Sequence, residues 1–272
     1  MTSTVLITGA SQGSGKATAL LFARNGYDVA LAARQPERLE AVADQIRALG
    51  HRAIAIPTDV GNPEQVQTLV AKTLESFGQV DVLVNNAGIC LSGAIEQTSL
   101  ADWHQIMDTN FWGYVHTVQA LLPHFLERKT GAIANVGSFG GKMPLPQMTA
   151  YCASKYAVTG FTDALRLELA PQGIHVCAIH PGVINSDFLE RAQFRGTTAQ
   201  ASDTMQQRMQ STLQAAWVSQ PEDIAQAIWD ALRYQKDEVV VGATFWATEL
   251  HRLFPGVTQW AMQQATGKQK SI

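Results

Sequence analysis

Tyr151 and Lys155 stand four residues apart in Tyr-Cys-Ala-Ser-Lys, inside a stretch whose helical periodicity continues through Ala157 and Leu165. That spacing is about one helical turn, so it predicts phenol and ammonium on one face. A phenol ordinarily loses its proton near pH 10, too high for acid–base work at neutrality, whereas an adjacent ammonium favours the phenolate. The pair therefore predicts a tyrosine that hands over a proton at neutral pH. Ser138 follows the β-rich run Ala132 to Gly137, where a hydroxyl can hydrogen-bond and orient the oxygen that Tyr151 protonates. The chemistry is reduction of a carbonyl, or oxidation of the alcohol in reverse. Alone, Tyr-x-x-x-Lys is also the pattern of an ordinary exposed helix pair, and its weight comes from its neighbours.

The electrons need a carrier, and the amino-terminal end supplies a place for one. Thr8-Gly9-Ala10-Ser11-Gln12-Gly13-Ser14-Gly15 follows an apolar run and leads into a helical pattern, Lys16 to Asn25, closed by Gly26. Glycines at 9, 13 and 15 let the backbone turn tightly against a pyrophosphate, and the free N–H groups and dipole of a helix start favour the anion. The spacing is G-x-x-x-G-x-G, and the turn could also be punctuation between strand and helix. An acid closing the second β-rich run would hold a ribose 2′-hydroxyl, but Ala33 and Arg34 stand there. A guanidinium suits a 2′-phosphate, with the Ser11 hydroxyl at hand, so NADP(H) is expected as the preferred cofactor. If Arg34 is only a solvated charge leading the next helix, NAD(H) serves as well. Asp59 and Val60 either meet the adenine, through the carboxylate and a backbone group, or form an ordinary turn and cap before Gly61-Asn62-Pro63.

These groups need a scaffold that brings them to one edge. Runs at Val5 to Thr8, Val29 to Ala32, Ala53 to Pro57, Val80 to Asn85, Ala132 to Gly137, His175 to His180 and Val239 to Val241 alternate with helical segments. They are apolar throughout, which predicts parallel strands covered by helices on both faces, a doubly wound α/β sheet of the Rossmann type. Right-handed crossovers put the following loops along the carboxyl edge, where the site is expected. Nearly half of the 272 residues are apolar, so one domain is expected. The polar segment 185–220 carries no strand signal and reads as a helical lid; 243–272 reads as a carboxyl-terminal extension. A formal charge of -3 without a basic block makes nucleic acid and acidic membranes unlikely partners. Cys90, Cys152 and Cys177 lack metal or disulfide spacing. The opening apolar run is too short for a signal peptide, and no stretch is long enough to span a bilayer, so a cytoplasmic protein is expected.

With these motifs in order, the chain resembles the short-chain dehydrogenase/reductase superfamily from Val5 to about Val241. The resemblance rests on the glycine turn, Asp59, the Asn85-Asn86-Ala87-Gly88 run, Ser138 with Tyr151-x-x-x-Lys155, and Pro181-Gly182. It implies that Asn110 joins a catalytic tetrad by supporting a water that relays protons to Lys155. Read unaided, Asn110 is a structural polar residue inside a helix. It also implies that Asn86, Ala87 and Gly88 border the adenosine side, and that Val183, Ile184 and Ser186 contact the nicotinamide. A homotetramer or homodimer through the helices holding Asn110 and Tyr151 is implied too. Ser14 stands where relatives usually carry isoleucine, and its hydroxyl is expected near the phosphates. Ser186 stands where they usually carry threonine.

The expected function is NADP(H)-dependent interconversion of a ketone or aldehyde and an alcohol on an apolar small molecule. A 3-oxoacyl-thioester reductase would need a basic entrance, and no such cluster is seen. A non-catalytic NADP(H) sensor would need neither the Tyr–Lys register nor Ser138. Cys152 reads as packing and His180 as a strand-ending residue that bonds locally, since Tyr151 already fills the acid–base role. Met205, Met209, Leu213 and Trp217 form an apolar helical stripe that either packs in the core or roofs the pocket beside Phe188 and Leu189. Phe245, Trp246, Phe254 and Trp260 read as a subunit contact, a pocket wall or a tail packed on the sheet.

Overall fold

The computed structural model describes residues 2–184, 192–198, 200, 202–204, 206–207 and 218–267. In chain order the strands are β1 (Thr4–Thr8), β2 (Asp28–Ala33), β3 (Ala53–Pro57), β4 (Val82–Asn85), β5 (Leu91–Gly93), β6 (Gly131–Val136), β7 (Ile174–Pro181), β8 (Gln193–Arg195) and β9 (Glu238–Val241). The helices are α1 (Gly13–Arg24), α2 (Pro36–Ala48), α3 (Pro63–Phe77), α4 (Leu100–Met107), α5 (Gly113–Arg128), α6 (Thr149–Leu169), α7 (Pro221–Arg233), α8 (Thr244–Leu253) and α9 (Pro255–Gly267). Seven strands form one parallel sheet in the order β3-β2-β1-β4-β6-β7-β9.

Every residue of β1 is buried, because its side chains alternate between two cores. Val5 and Ile7 pack with Phe22 of α1, Leu39 and Ile46 of α2, and Ile224 and Ile228 of α7. Leu6 points the other way, with Leu69 of α3, Leu121 and Phe125 of α5, and Leu165 of α6. An unbroken apolar run is what a strand covered on both sides requires, and the doubly wound fold expected from these runs is the one found. Winding proceeds outward from β1 to β3 and then returns to place β4 on the other side of β1. The connections that leave β1 and β4 therefore run to opposite faces of the sheet, through α1 and α5, and a crevice opens at the carboxyl edge.

One correction falls within the segment expected to carry no strand. Gln193–Arg195 forms a two-stranded parallel ladder with Leu91–Gly93. Neither run is long enough to show an apolar pattern, and a tertiary ion pair ties β8 to α4. Arg195 reaches Asp102 of α4 with Nη2 at 2.6 Å and Nε at 3.3 Å. Ser186, Phe188, Leu189, Met205, Met209, Leu213, Trp217 and most of the expected lid lie outside the described residues. At the carboxyl end, Phe245, Trp246, Phe254 and Trp260 are exposed, which removes the reading of a tail packed on the sheet. No helix among the described residues is long and apolar enough to cross a membrane.

Candidate active site

The first wall of the crevice is the glycine turn, where Gly9 and Gly13 adopt left-handed backbone at φ 67° and 53°, a region that disfavours any side chain. Close approach constrains it further: a Cβ on Gly9 would lie 2.8 Å from Ala87 Cα, and one on Gly15 would lie 2.6 Å from Asn86 Nδ2. The turn is thus pressed against the loop after β4. Thr8 Oγ1 accepts the amides of Asn86 and Ala87 at 3.0 and 3.1 Å, and Asn86 Nδ2 donates to the Thr8 and Gly9 carbonyls at 3.1 and 3.3 Å. Ser14 Oγ donates to Asn86 Oδ1 at 2.7 Å. The hydroxyl expected to face phosphates is engaged in this clasp, and Asn86 holds the turn in shape.

One end of the crevice is lined by Gly9, Ser11, Arg34, Asp59, Val60, Ala87 and Gly88, together with Gln12, Thr58 and Thr109. Asp59 is the only carboxylate in that lining. Its Oδ1 accepts the Gly61 amide at 3.0 Å, whereas Asn62 caps α3 by accepting from the Gln65 amide. Asp59 therefore makes the turn and borders the cavity at once, and it is not the cap. Arg34 is exposed immediately after β2. Sequence reasoning missed Arg38, one turn into α2, whose Nη1 donates to Gln12 Oε1 at 2.5 Å. Gln12 immediately precedes α1, so a second guanidinium stands at this end; only the fold brings residues 12 and 38 together.

The other end is lined by Ser14, Asn86, Gly88, Ser138, Tyr151, Lys155, Pro181, Gly182, Val183 and Ile184, and by apolar Ile89, Val136, Phe139, Leu145 and Met148. Gly88 and Ile89 border both cavities, so the cleft runs from Arg34 to Tyr151. The phenol and ammonium lie on α6, both buried. Ser138 has extended backbone, accepts the Gly140 amide on Oγ at 3.1 Å, and lines the cavity beside Tyr151. Lys155 Nζ donates to the Val136 carbonyl at 2.9 Å, the acceptor that also receives the Tyr114 hydroxyl at 2.9 Å.

Burial dominates the electrostatics of this pair. It pulls the Lys155 ammonium down to about 8. It raises Tyr151 well above 10, and the neighbouring Ser138 hydroxyl acts the other way. The lowering of the phenol by Lys155 anticipated from their spacing is not seen; desolvation disfavours both charged forms. At neutral pH the phenol keeps its proton. Cys90, itself pushed up to about 12 by burial, remains a thiol.

Asn110 occupies a π-helical turn, Asp108–Trp112, between α4 and α5. Such a turn breaks the regular helical ladder, and the Asn110 amide reaches across to Ile89, accepting its N–H at 2.8 Å and donating to its carbonyl at 3.0 Å. It also donates to Ser154 Oγ at 3.0 Å. A Cβ on Gly88 would lie 3.4 Å from Asn110 Oδ1 and 3.7 Å from Lys155 Nζ, so both polar groups flank that glycine. Beyond β7, Gly182 packs on Thr244, and Ile184 bridges to Ser219. Buried polar residues that spacing did not flag support the floor: Asn85 Nδ2 donates to Asn135 Oδ1 at 3.0 Å, and Asn135 to Thr162 at 3.0 Å.

These features fit an anionic dinucleotide: left-handed glycines at a helix start, arginines at one end, and a cleft extending to a buried phenol. The short-chain dehydrogenase family model matches residues 3–195, and the chain belongs to that family. It is an oxidoreductase of a family that binds nicotinamide cofactors. It is 35% identical over 245 residues to the 3-oxoacyl-(acyl-carrier-protein) reductase FabG of Staphylococcus aureus, covering 90% of this chain and 96% of that one. A short-chain dehydrogenase/reductase from Burkholderia phymatum in complex with NAD is similar with a TM-score of 0.85 and 27% identity, covering 92% of this chain and 93% of that one. A 3-ketoacyl-(acyl-carrier-protein) reductase from Brucella melitensis complexed with NADH is similar with a TM-score of 0.77 and 29% identity, covering 88% and 96% respectively.

Proposed function

We propose that this enzyme reduces a ketone or aldehyde on an apolar small molecule, and oxidises the alcohol in reverse, with NADP(H) as the preferred cofactor. The observation that carries this reading is that Ser138, Tyr151 and Lys155 line one apolar cleft continuous with the glycine turn. A nicotinamide dinucleotide supplies or accepts the hydride. The substrate oxygen is oriented by Ser138 and receives the proton that burial keeps on Tyr151. The phenolate left behind is stabilised by the Lys155 ammonium one turn away, and Asn110 supports the water through which Lys155 exchanges protons. Gly9, Gly13, Gly15 and the Ser14 amide hold the pyrophosphate; Asp59, Val60, Ala87 and Gly88 border the adenosine; and Pro181 to Ile184, with Ser186, meet the nicotinamide.

The cofactor preference rests on Arg34, with Arg38 nearby, where an NAD-selective site would carry an acid. The two similar structures hold NAD and NADH, so the preference belongs to this chain's own residues. The family resemblance supports a homodimer or homotetramer. The relatives favour a second reading, reduction of a 3-oxoacyl thioester. Against a carrier-bound substrate, Lys142 after the Ser138 turn and Arg195 of β8 are already paired, with Glu238 and Asp102.

Spectrophotometric assay of ketones, aldehydes and an acetoacetyl thioester with NADPH and NADH tests the set. We expect turnover of apolar carbonyls, a higher kcat/KM with NADPH, and a Tyr151→Phe variant that binds NADPH yet loses turnover by about a thousandfold or more. Substantial residual turnover in that variant removes Tyr151 from the acid role; an NADH preference removes the Arg34 argument; selective use of the thioester favours the second reading.

A further inference from the structure

His180 is fully buried at the end of β7, directly behind the loop that carries Ser138. Its Nδ1 lies 3.2 Å from the Ser138 carbonyl oxygen. Its Nε2 lies 2.9 Å from Glu238 Oε1 at the start of β9, at ion-pair distance but without hydrogen-bond geometry. The same carboxylate oxygen receives the Lys142 ammonium, and Lys142 closes the 3₁₀ turn that follows Ser138. The loop is therefore contacted at two points, its first carbonyl and its last side chain, and both contacts lead to Glu238. Fit against the ring is close: a Cβ on Gly137 would lie 2.6 Å from His180 Nδ1.

We infer that His180, which lies between Ser138 and Glu238, is a positioning residue for Ser138. It fixes the carbonyl, and with it the backbone, of the residue whose hydroxyl meets Tyr151 and the substrate oxygen. A catalytic hydroxyl displaced by a fraction of an ångström loses much of its effect, and the Ser138 carbonyl is approached by His180 as well as by the Gly141 amide at 2.9 Å. The inference rests on the role proposed for Ser138 and adds to it the element that holds that role in place.

The test compares His180→Leu, His180→Asn, Glu238→Gln and Ser138→Ala with the wild-type chain. Each is assayed with NADPH and the carbonyl of the panel that the wild type reduces fastest. His180→Leu is expected to lower kcat about tenfold or more while leaving KM for NADPH within about twofold. Asparagine, whose amide nitrogen occupies the place of Nδ1, is expected to restore most of that loss. Glu238→Gln is expected to lower kcat about two- to fivefold. Wild-type kcat in His180→Leu, or equal losses in the leucine and asparagine variants, overturns the inference. Should His180→Leu fail to fold, wild-type kcat in the half-exposed Glu238→Gln overturns it. If Ser138→Ala abolishes turnover while the other variants are unaffected, this inference alone falls. If Ser138→Ala turns over normally, or the wild type reduces nothing in the panel, the proposed function falls with it.

Discussion

An ammonium enclosed between Tyr114 and the carbonyl of Val136 is a costly thing for a fold to keep. Burial draws Lys155 from its ordinary 10.5 down to about 8, and below that value the folded protein carries the desolvation penalty in full. The unfolded chain binds the proton more tightly, so wild-type stability rises with pH between about 8 and 10.5. Lys155→Met removes the penalty and leaves the Val136 carbonyl its bond from Tyr114. We expect the variant to be more stable at pH 7 by on the order of 1–3 kcal/mol, to lose that advantage by pH 10, and to turn over poorly. Denaturant titrations at the two pH values check it; a variant less stable at pH 7 refutes the account. The same reasoning predicts that wild-type reduction slows as pH rises past about 8, where the ammonium is lost.

Among the elements, the short ladder of β5 and β8 depends most on a single pair. Asp102 accepts the Ser99 amide and hydroxyl at the start of α4, at 3.0 and 2.8 Å, while holding Arg195 from β8. Arg195, and then Ser99, keep its carboxyl at about 2, below the ordinary 3.8. A depressed carboxylate contributes stability that is present above about pH 4 and lost as pH falls towards 2. Arg195 is partly exposed, so solvent screening limits the contribution to about 1 kcal/mol. Asp102→Asn should therefore cost little overall yet loosen β8 from β5. Hydrogen exchange should accelerate at the amides of 193–195 and stay unchanged in β1 and β4; unchanged exchange at 193–195 would show that the ladder stands without the pair.

For the whole molecule, the informative surface is on α5 and α6 and the turn before them. Trp112, Leu126, Tyr156 and Leu167 are exposed to 47%, 37%, 44% and 77%, large apolar side chains of the kind a subunit contact covers. The homodimer or homotetramer proposed above would cover this face. Light scattering should give a mass of two or four chains, and Leu167→Glu with Trp112→Glu should shift it down. A wild-type monomer excludes the arrangement.

Much of the fold was legible because doubly buried strands must be apolar along their whole length, and because glycine, proline and helix-starting signals mark where each βα unit ends. Composition and order alone thus gave the seven-stranded sheet and the edge on which Gly9, Ser138 and Tyr151 had to meet. What lay beyond the sequence was set by contacts between distant residues. Ser14 turned its hydroxyl to Asn86, Arg38 came to Gln12, a polar run became β8 with Arg195 paired to Asp102, and burial disfavoured the charged forms of both Lys155 and Tyr151. Local spacing fixes which side chains share a turn or a face, but hydrogen-bond partners and desolvation depend on what the rest of the chain packs against them, and only the tertiary structure decides that.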